Sequence, residues 1–224
     1  MTPNGGSMAF CLPMTRKITA LKVQKRNKNR VNVYLDNEFA FGLSRIVAGW
    51  LKTGQELSEE KILEIKSKDE IEISLQRALN FLSYRPRSEE EVRKNLRKHD
   101  TDPEIIERII ERLQEGKLVN DVDFANLWVE NRSDFRPRGR RALRAELRQK
   151  GVNDQTIEET LIDIDEEELA YRAAVKKSRR YKELEWLDFR KKMNGFLARR
   201  GFNYSEITIV VEKVWNEIHS NPPK

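Results

Sequence analysis

Two arginine-proline-arginine triplets, Arg85-Pro86-Arg87 and Arg136-Pro137-Arg138, stand 51 residues apart, and the segments C-terminal to them align without a gap. Val92 falls on Leu143, Leu96 on Leu147, Ile106 on Ile157 and Ile110 on Leu161. A third copy comes at a shift of 50, with Met193, Leu197, Ile207 and Val211 in the same places. Apolar residues four apart lie on one helix face, so each copy reads as two amphipathic helices. The turn between them repeats as well. Gly151 and Gly201 suit the left-handed position that ends a helix, and Asp102, Asn153 and Asn203 suit the cap of the next one. In the first copy Asp100 takes the glycine's place. Three copies in register predict a helical repeat protein.

Ahead of the repeats the apolar period changes from four to two. Ile18, Ala20 and Val23, then Val31, Val33 and Leu35, alternate as strands do, with Lys25-Arg26-Asn27-Lys28-Asn29-Arg30 as a basic turn between them. Asp36-Asn37 suits a two-residue hairpin turn into a third strand over 38–43, and a short helix is expected over 44–51, ended by Thr53-Gly54. Ser58 can cap a polar linker helix over 58–69, with a break near Lys68-Asp69. The first repeat spans 70–118, with Leu75, Leu79 and Leu82 as its buried stripe, a capping box of Ser88 and Glu91, and an end at Gly116. Asp121 is expected to cap the second repeat (119–165), whose first helix presents Phe124, Leu127 and Trp128 as its apolar face. The third repeat and tail span 166–224, with a second capping box at Asn203 and Glu206, Trp215 and Ile218 closing the last apolar face, and Asn221-Pro222-Pro223-Lys224 as a frayed end. Residues 1–13 read as a disordered leader and 14–57 as a small β extension with its short helix. The expected fold is mainly α: an elongated tandem array of three three-helix repeats with a small N-terminal antiparallel β-sheet extension.

The net charge of +6 is local. Residues 132–150 carry eight basic residues against Asp134 and Glu146, while 153–168 carry eight acidic residues and no basic one. A basic helix followed by an acidic one makes a dipolar module, suited to nucleic acid on one side and a basic or mixed protein surface on the other. Solvated helix faces joined by internal ion pairs would look the same in sequence. Cys11 is the only cysteine, which excludes an internal disulfide and points to a reducing compartment. No apolar run reaches the ~20 residues of a membrane span. The stretch from Met8 to Met14 is too short for a signal peptide and is interrupted by Pro13. A cytoplasmic monomer without membrane contact is expected.

The catalytic inventory is poor. His99 and His219 lie far apart with no carboxylate or cysteine at metal-ligand spacing, and Glu115-Gly116-Lys117-Leu118 lacks the rest of a phosphate loop. Asp121 with Asp123 is explained by capping, and Glu166-Glu167-Glu168 by a solvated helix start. No nucleophile has a base, so no enzyme activity, cofactor or metal is expected. What remains is a binding surface. Proline between Arg85 and Arg87, and between Arg136 and Arg138, limits where those guanidinium groups can point. Arg140, Arg141, Arg144 and Arg148 share helical faces, with Lys150 closing the run. Such arginines can clamp phosphates or carboxylates.

At these residues the sequence resembles the RecX family, regulatory proteins of the RecA recombinase. The likeness is carried by Ala78-Leu79-Asn80-Phe81-Leu82-Ser83-Tyr84-Arg85-Pro86-Arg87-Ser88, by Phe124-Ala125 with Trp128, and by Arg136-Pro137-Arg138-Gly139. It continues from Leu143 through Arg144-Ala145-Glu146-Leu147-Arg148-Gln149-Lys150 to Gly151-Val152, and covers roughly 70–215. The resemblance implies tandem three-helix repeats lying in the groove of the RecA filament on single-stranded DNA, where members limit filament growth and inhibit ATP hydrolysis and strand exchange. The residues alone also allow a second reading, in which helix-turn-helix-like units place the same arginines on the DNA backbone directly, without sequence preference.

Overall fold

The structure is a computed structural model and describes residues 15–220. The leader expected over 1–13, Cys11 within it and the tail at 221–224 lie outside the described residues. The fold is mainly helical, with three three-helix domains and an N-terminal four-stranded antiparallel sheet. By its internal contacts the chain divides into two compact units. One holds the sheet, the helix after it as far as Asn80, and Asp100–Ile109; the other holds Phe81–His99 and the chain from Ile110 onward.

In the first unit β1 (Thr15–Val23), β2 (Arg30–Leu35) and β3 (Glu38–Ser44) form the expected meander, succeeded by α1 (Arg45–Ala48). Asp36 and Asn37 both adopt positive φ, as a two-residue hairpin matched to strand twist requires. The alternating residues Ile18, Val33, Leu35 and Leu43 are almost fully buried. A fourth strand, β4 (Glu56–Ser58), pairs with β1 and completes the order β3-β2-β1-β4. Three residues are too few to show alternation, which is why periodicity misses it. Ser58 serves twice: it ends β4, and its Oγ accepts from Lys61 N in the first turn of the next helix.

That helix, α2 (Glu59–Leu82), runs unbroken through 24 residues, so the break expected near Lys68-Asp69 is absent. Asp69 is buried for another reason. Its carboxylate accepts the Ser44 backbone N–H and pairs with Arg30 Nη1 at 3.4 Å. A charged residue in mid-helix reads as a break in sequence; here it ties the helix to the end of β3. Along the stripe expected in this helix only Leu75 is fully buried, joined by Ala78, while Leu79 and Leu82 are half-buried.

The repeats continue as α3 (Glu89–Arg97), α4 (Pro103–Glu115), α5 (Asp121–Phe135), α6 (Arg140–Gln149), α7 (Asp154–Leu161), α8 (Glu166–Ser178), α9 (Trp186–Arg199) and α10 (Tyr204–Ser220). All twelve apolar residues of the threefold alignment are buried. The core of the second repeat is Phe124, Ala125, Val129, Leu143, Leu147, Val152, Ile157 and Leu161. Leu127, expected on that face, is 49% exposed, and Trp128 is half-buried. In the third repeat Trp186 and Phe189 pack on Trp215, with ring centroids 5.3 and 5.0 Å apart.

Several capping roles move by one residue or one repeat. Asn120, not Asp121, caps α5, accepting from Val122 N and Asp123 N. Ser88 accepts from Glu91 N at 3.3 Å, but the Glu91 carboxylate turns to Arg85 and does not close the box. In the third copy Asn203 donates to Glu166 and Glu206 accepts from Ser205, so that box is not made either. Asp102 and Asn153 cap as expected.

Candidate partner-binding surface

Successive repeats in the second unit meet through equivalent contacts twice. Ser88 Oγ donates to Lys150 O at 2.6 Å; one repeat later Gly139 N donates to Arg200 O at 3.0 Å. The first amide of α3, Glu89 N, donates to Asp121 Oδ1 at 2.8 Å, and the first amide of α6, Arg140 N, donates to Glu166 Oε1 at 3.1 Å. The carboxylate that opens each repeat therefore caps the middle helix of the repeat before it. Glu166 is accordingly 8% exposed, not the solvated helix start that its acidic run suggests.

The turn glycines are explained by the same junctions. Gly151 and Gly201 have φ near +83° and +87°, and a β-carbon on them would overlap the Glu90 side chain and Ala142, respectively. Asp100 also adopts a left-handed conformation, at φ +55°, but is exposed. Aspartate tolerates that conformation better than most residues. It lacks the close neighbour that excludes a side chain at the other two turns.

Most of the expected site cations are already engaged inside the molecule. Arg85 makes a two-pronged pair with Glu91, at 3.1 and 2.9 Å, and Lys150 reaches the same carboxylate at 2.8 Å. Arg87 stacks on Phe81, 3.9 Å from the ring centroid, with its Nε buried and without a hydrogen-bond partner. Arg138 pairs with Glu146 at 2.8 Å. Arg140 donates to Ile162 O and Ile164 O and lies 3.6 Å from Glu166. Arg141 donates to Ala198 O at the end of α9. Arg144 grips Glu158 through two bonds of 2.6 and 2.7 Å, and Arg148 meets Asp154 at 2.6 Å. The basic helix and the acidic helix after it are thus partners of each other. Arg136 differs: it is exposed and makes no ion pair or side-chain hydrogen bond among the described residues.

Sequence reasoning missed the carboxylates that organise these cations. Glu146 accepts from Trp128 Nε1 at 2.8 Å and from Arg132 at 2.7 Å, besides pairing with Arg138. The Trp128 ring carries Arg132 and Lys150 4.5 and 4.9 Å from its centroid. A continuous polar network therefore runs from Arg85 through Glu91, Lys150, Trp128 and Glu146 to Arg138, joining the two arginine-proline-arginine turns. Its members lie far apart in sequence, so no local spacing announces it.

Protonation reflects this geometry. Burial opposes ionisation of Glu91, but the hydrogen bonds from Arg85 and Lys150 prevail and hold its carboxyl down at about 2. Burial dominates at the two capping carboxylates, pushing Asp121 and Glu166 above the usual range. Arg200 is held below the ordinary arginine range by burial, then by its neighbours Arg138 and Arg136.

None of this is an acid–base or nucleophilic constellation. Among the described residues no group of three or more His, Cys, Asp or Glu is placed to hold a metal ion, and His219 stacks on Trp215 with centroids 3.6 Å apart. No described helix is long and apolar enough to cross a membrane.

Comparison with known proteins agrees with this architecture. Four family models match in order: the regulatory protein RecX N-terminal domain over residues 16–58, and the first, second and third three-helix domains of RecX over 75–113, 120–161 and 165–222. The regulatory protein RecX of Bacillus subtilis (strain 168) is 35% identical over 202 residues, 88% of this chain and 76% of that protein. That of Leuconostoc mesenteroides is 33% identical over 207 residues, 90% and 77% of the two chains. A crystal structure of regulatory protein RecX superposes with a TM-score of 0.69 at 31% identity, covering 88% of this chain and 99% of the other. One of RecX from Lactobacillus salivarius gives 0.60 at 28% identity, covering 66% and 97%. The matches reach each repeat and the N-terminal sheet, and the relatives are regulatory proteins by name. This chain belongs to the RecX family of regulatory proteins.

Proposed function

We propose that this protein regulates homologous recombination by binding the RecA filament on single-stranded DNA in its groove, where it limits filament extension, ATP hydrolysis and strand exchange. The observation that carries the reading is the twice-repeated junction, Ser88 to Lys150 O and Gly139 to Arg200 O. Docking contacts that recur at matching positions give the second unit a surface that recurs along it. Such a surface suits a partner that is itself a repeating array, and weak contacts made in parallel add by avidity. Direct binding of DNA through the arginine run is the weaker account. Arg140, Arg144, Arg148 and Lys150 would each have to exchange an internal carboxylate for a phosphate.

The test is RecA's ATP hydrolysis on single-stranded DNA, with this protein present below the RecA concentration. Substoichiometric inhibition is expected. Arg136→Glu is expected to weaken it about tenfold, the scale of one reversed charge-assisted contact. Because Arg136 makes no ion pair or side-chain hydrogen bond among the described residues and its charge opposes that of Arg200, the variant should melt no lower than the native chain. Absence of inhibition at any ratio, with salt-sensitive binding to bare DNA, would overturn the filament reading in favour of direct DNA binding.

A further inference from the structure

The two inter-repeat junctions are built alike but differ in charge. At the first, Glu91 in the first turn of α3 takes Arg85 through two bonds and Lys150 through a third. The 51- and 50-residue register places Arg136 on Arg85, Arg200 on Lys150, and Ala142 on Glu91. Both cations are kept and the carboxylate between them is gone. The first turn of α3 carries Glu89, Glu90 and Glu91, whereas that of α6 carries no acidic residue.

Among the described residues no carboxylate bonds to either cation. Glu146 is committed to Arg138, Arg132 and Trp128, and Glu166 to Arg140 and the α6 cap. Arg200 reaches only the Pro137 carbonyl, at 3.0 Å, and the Phe196 ring, 4.6 Å from the centroid, among the described residues. Arg136 leaves directly from the end of α5, and its charge still reaches Arg200, whose protonation it opposes after burial and Arg138. Ala142 lies against Gly201, the residue after Arg200, so a longer side chain there would start beside that cation.

We propose that Arg136 and Arg200 form an open carboxylate site, which takes from a partner protein the Asp or Glu side chain that Glu91 supplies internally one repeat earlier. The precedent within the same chain favours a carboxylate over a phosphate, since a planar pair of oxygens is what the filled junction already holds. That the partner is the recombinase filament rests on the proposed function; the site itself does not.

Ala142→Glu tests it by restoring the internal ligand. Ala142 is the third residue of α6, as Glu91 is of α3, and an acid in a first helical turn is favourable. The native chain is melted with citrate and, separately, with inorganic phosphate at matched ionic strength, alongside Ala142→Glu and Arg136→Gln. Citrate is expected to raise the native melting temperature more than that of either variant. Ala142→Glu without citrate should melt above the native chain, and it should bind the filament about tenfold more weakly, the scale of one charge-assisted contact. Equal protection of all three chains by citrate would overturn the site. Protection of the native chain by phosphate but not citrate would overturn the carboxylate assignment and make the ligand a nucleic-acid backbone. If the native chain fails to bind the filament, the proposed function falls while the citrate comparison still decides the site.

Discussion

Replacing Glu91 with glutamine should loosen the first inter-repeat junction, and the amount can be worked from its surroundings. The side chain is 16% exposed and receives three charge-assisted hydrogen bonds, two from Arg85 and one from Lys150. Glutamine keeps the shape but removes the charge, leaving Arg85 and Lys150 facing each other unneutralised. The carboxyl is lowered from 4.5 to about 2. A displacement of that size has a ceiling of about 3 kcal/mol. Lys150 and Arg85 are 24% and 40% exposed, so solvent screening brings the expected loss to about 1–2 kcal/mol. The folded group has the lower pKa, so its contribution is fully present above about 4.5 and disappears as pH falls through about 2. Urea unfolding followed by tryptophan fluorescence suits the assay, because Trp128 lies beside Lys150. Native and Glu91→Gln chains should differ at neutral pH and converge in strong acid. A difference that is absent at neutral pH, or that persists undiminished to about pH 2, would refute the network as a source of stability.

Other substitutions separate junction contacts from surface ones. Gly151→Ala combines a strained left-handed backbone with overlap against Glu90 and should cost about 2 kcal/mol or more in urea unfolding, while Asp100→Gly, at an exposed turn, should change stability by about 0.5 kcal/mol or less. Glu158→Gln removes the charge and one of the two oxygens that accept from Arg144 on an exposed face. It should change urea unfolding little, and less still at high salt, despite the short distances.

The repeat and its helices are legible in the sequence because they rest on local chemistry. Apolar residues four apart must share a face, so Val92 with Leu96, Leu143 with Leu147, and Met193 with Leu197 announce buried stripes wherever they occur. Gly151 and Gly201 mark left-handed turns for the same local reason. The errors fall where a residue's partner is distant. Asp69 reads as a helix break until Ser44 and Arg30 are brought to it. Asp121 reads as the cap of its own helix but serves the α3 amide of Glu89. Leu127 fits the helical period yet faces outward, because period assigns a face and packing decides its width.

The candidate site divides in the same way. Sequence alone determined which residues recur: the arginine-proline-arginine turns, the basic α6, the acidic stretch after it, and through these the family. Only the tertiary structure decided which charges are spent. Glu91, Glu146, Glu158 and Glu166 each neutralise cations that composition had left available, and Arg136 alone of the nine expected site residues keeps an exposed side chain without a hydrogen bond, ion pair or ring contact among the described residues. The reason is physical. Periodicity is a property of a chain segment, whereas the neutralisation of a charge depends on distances across the fold, and those exist only once the repeats have docked.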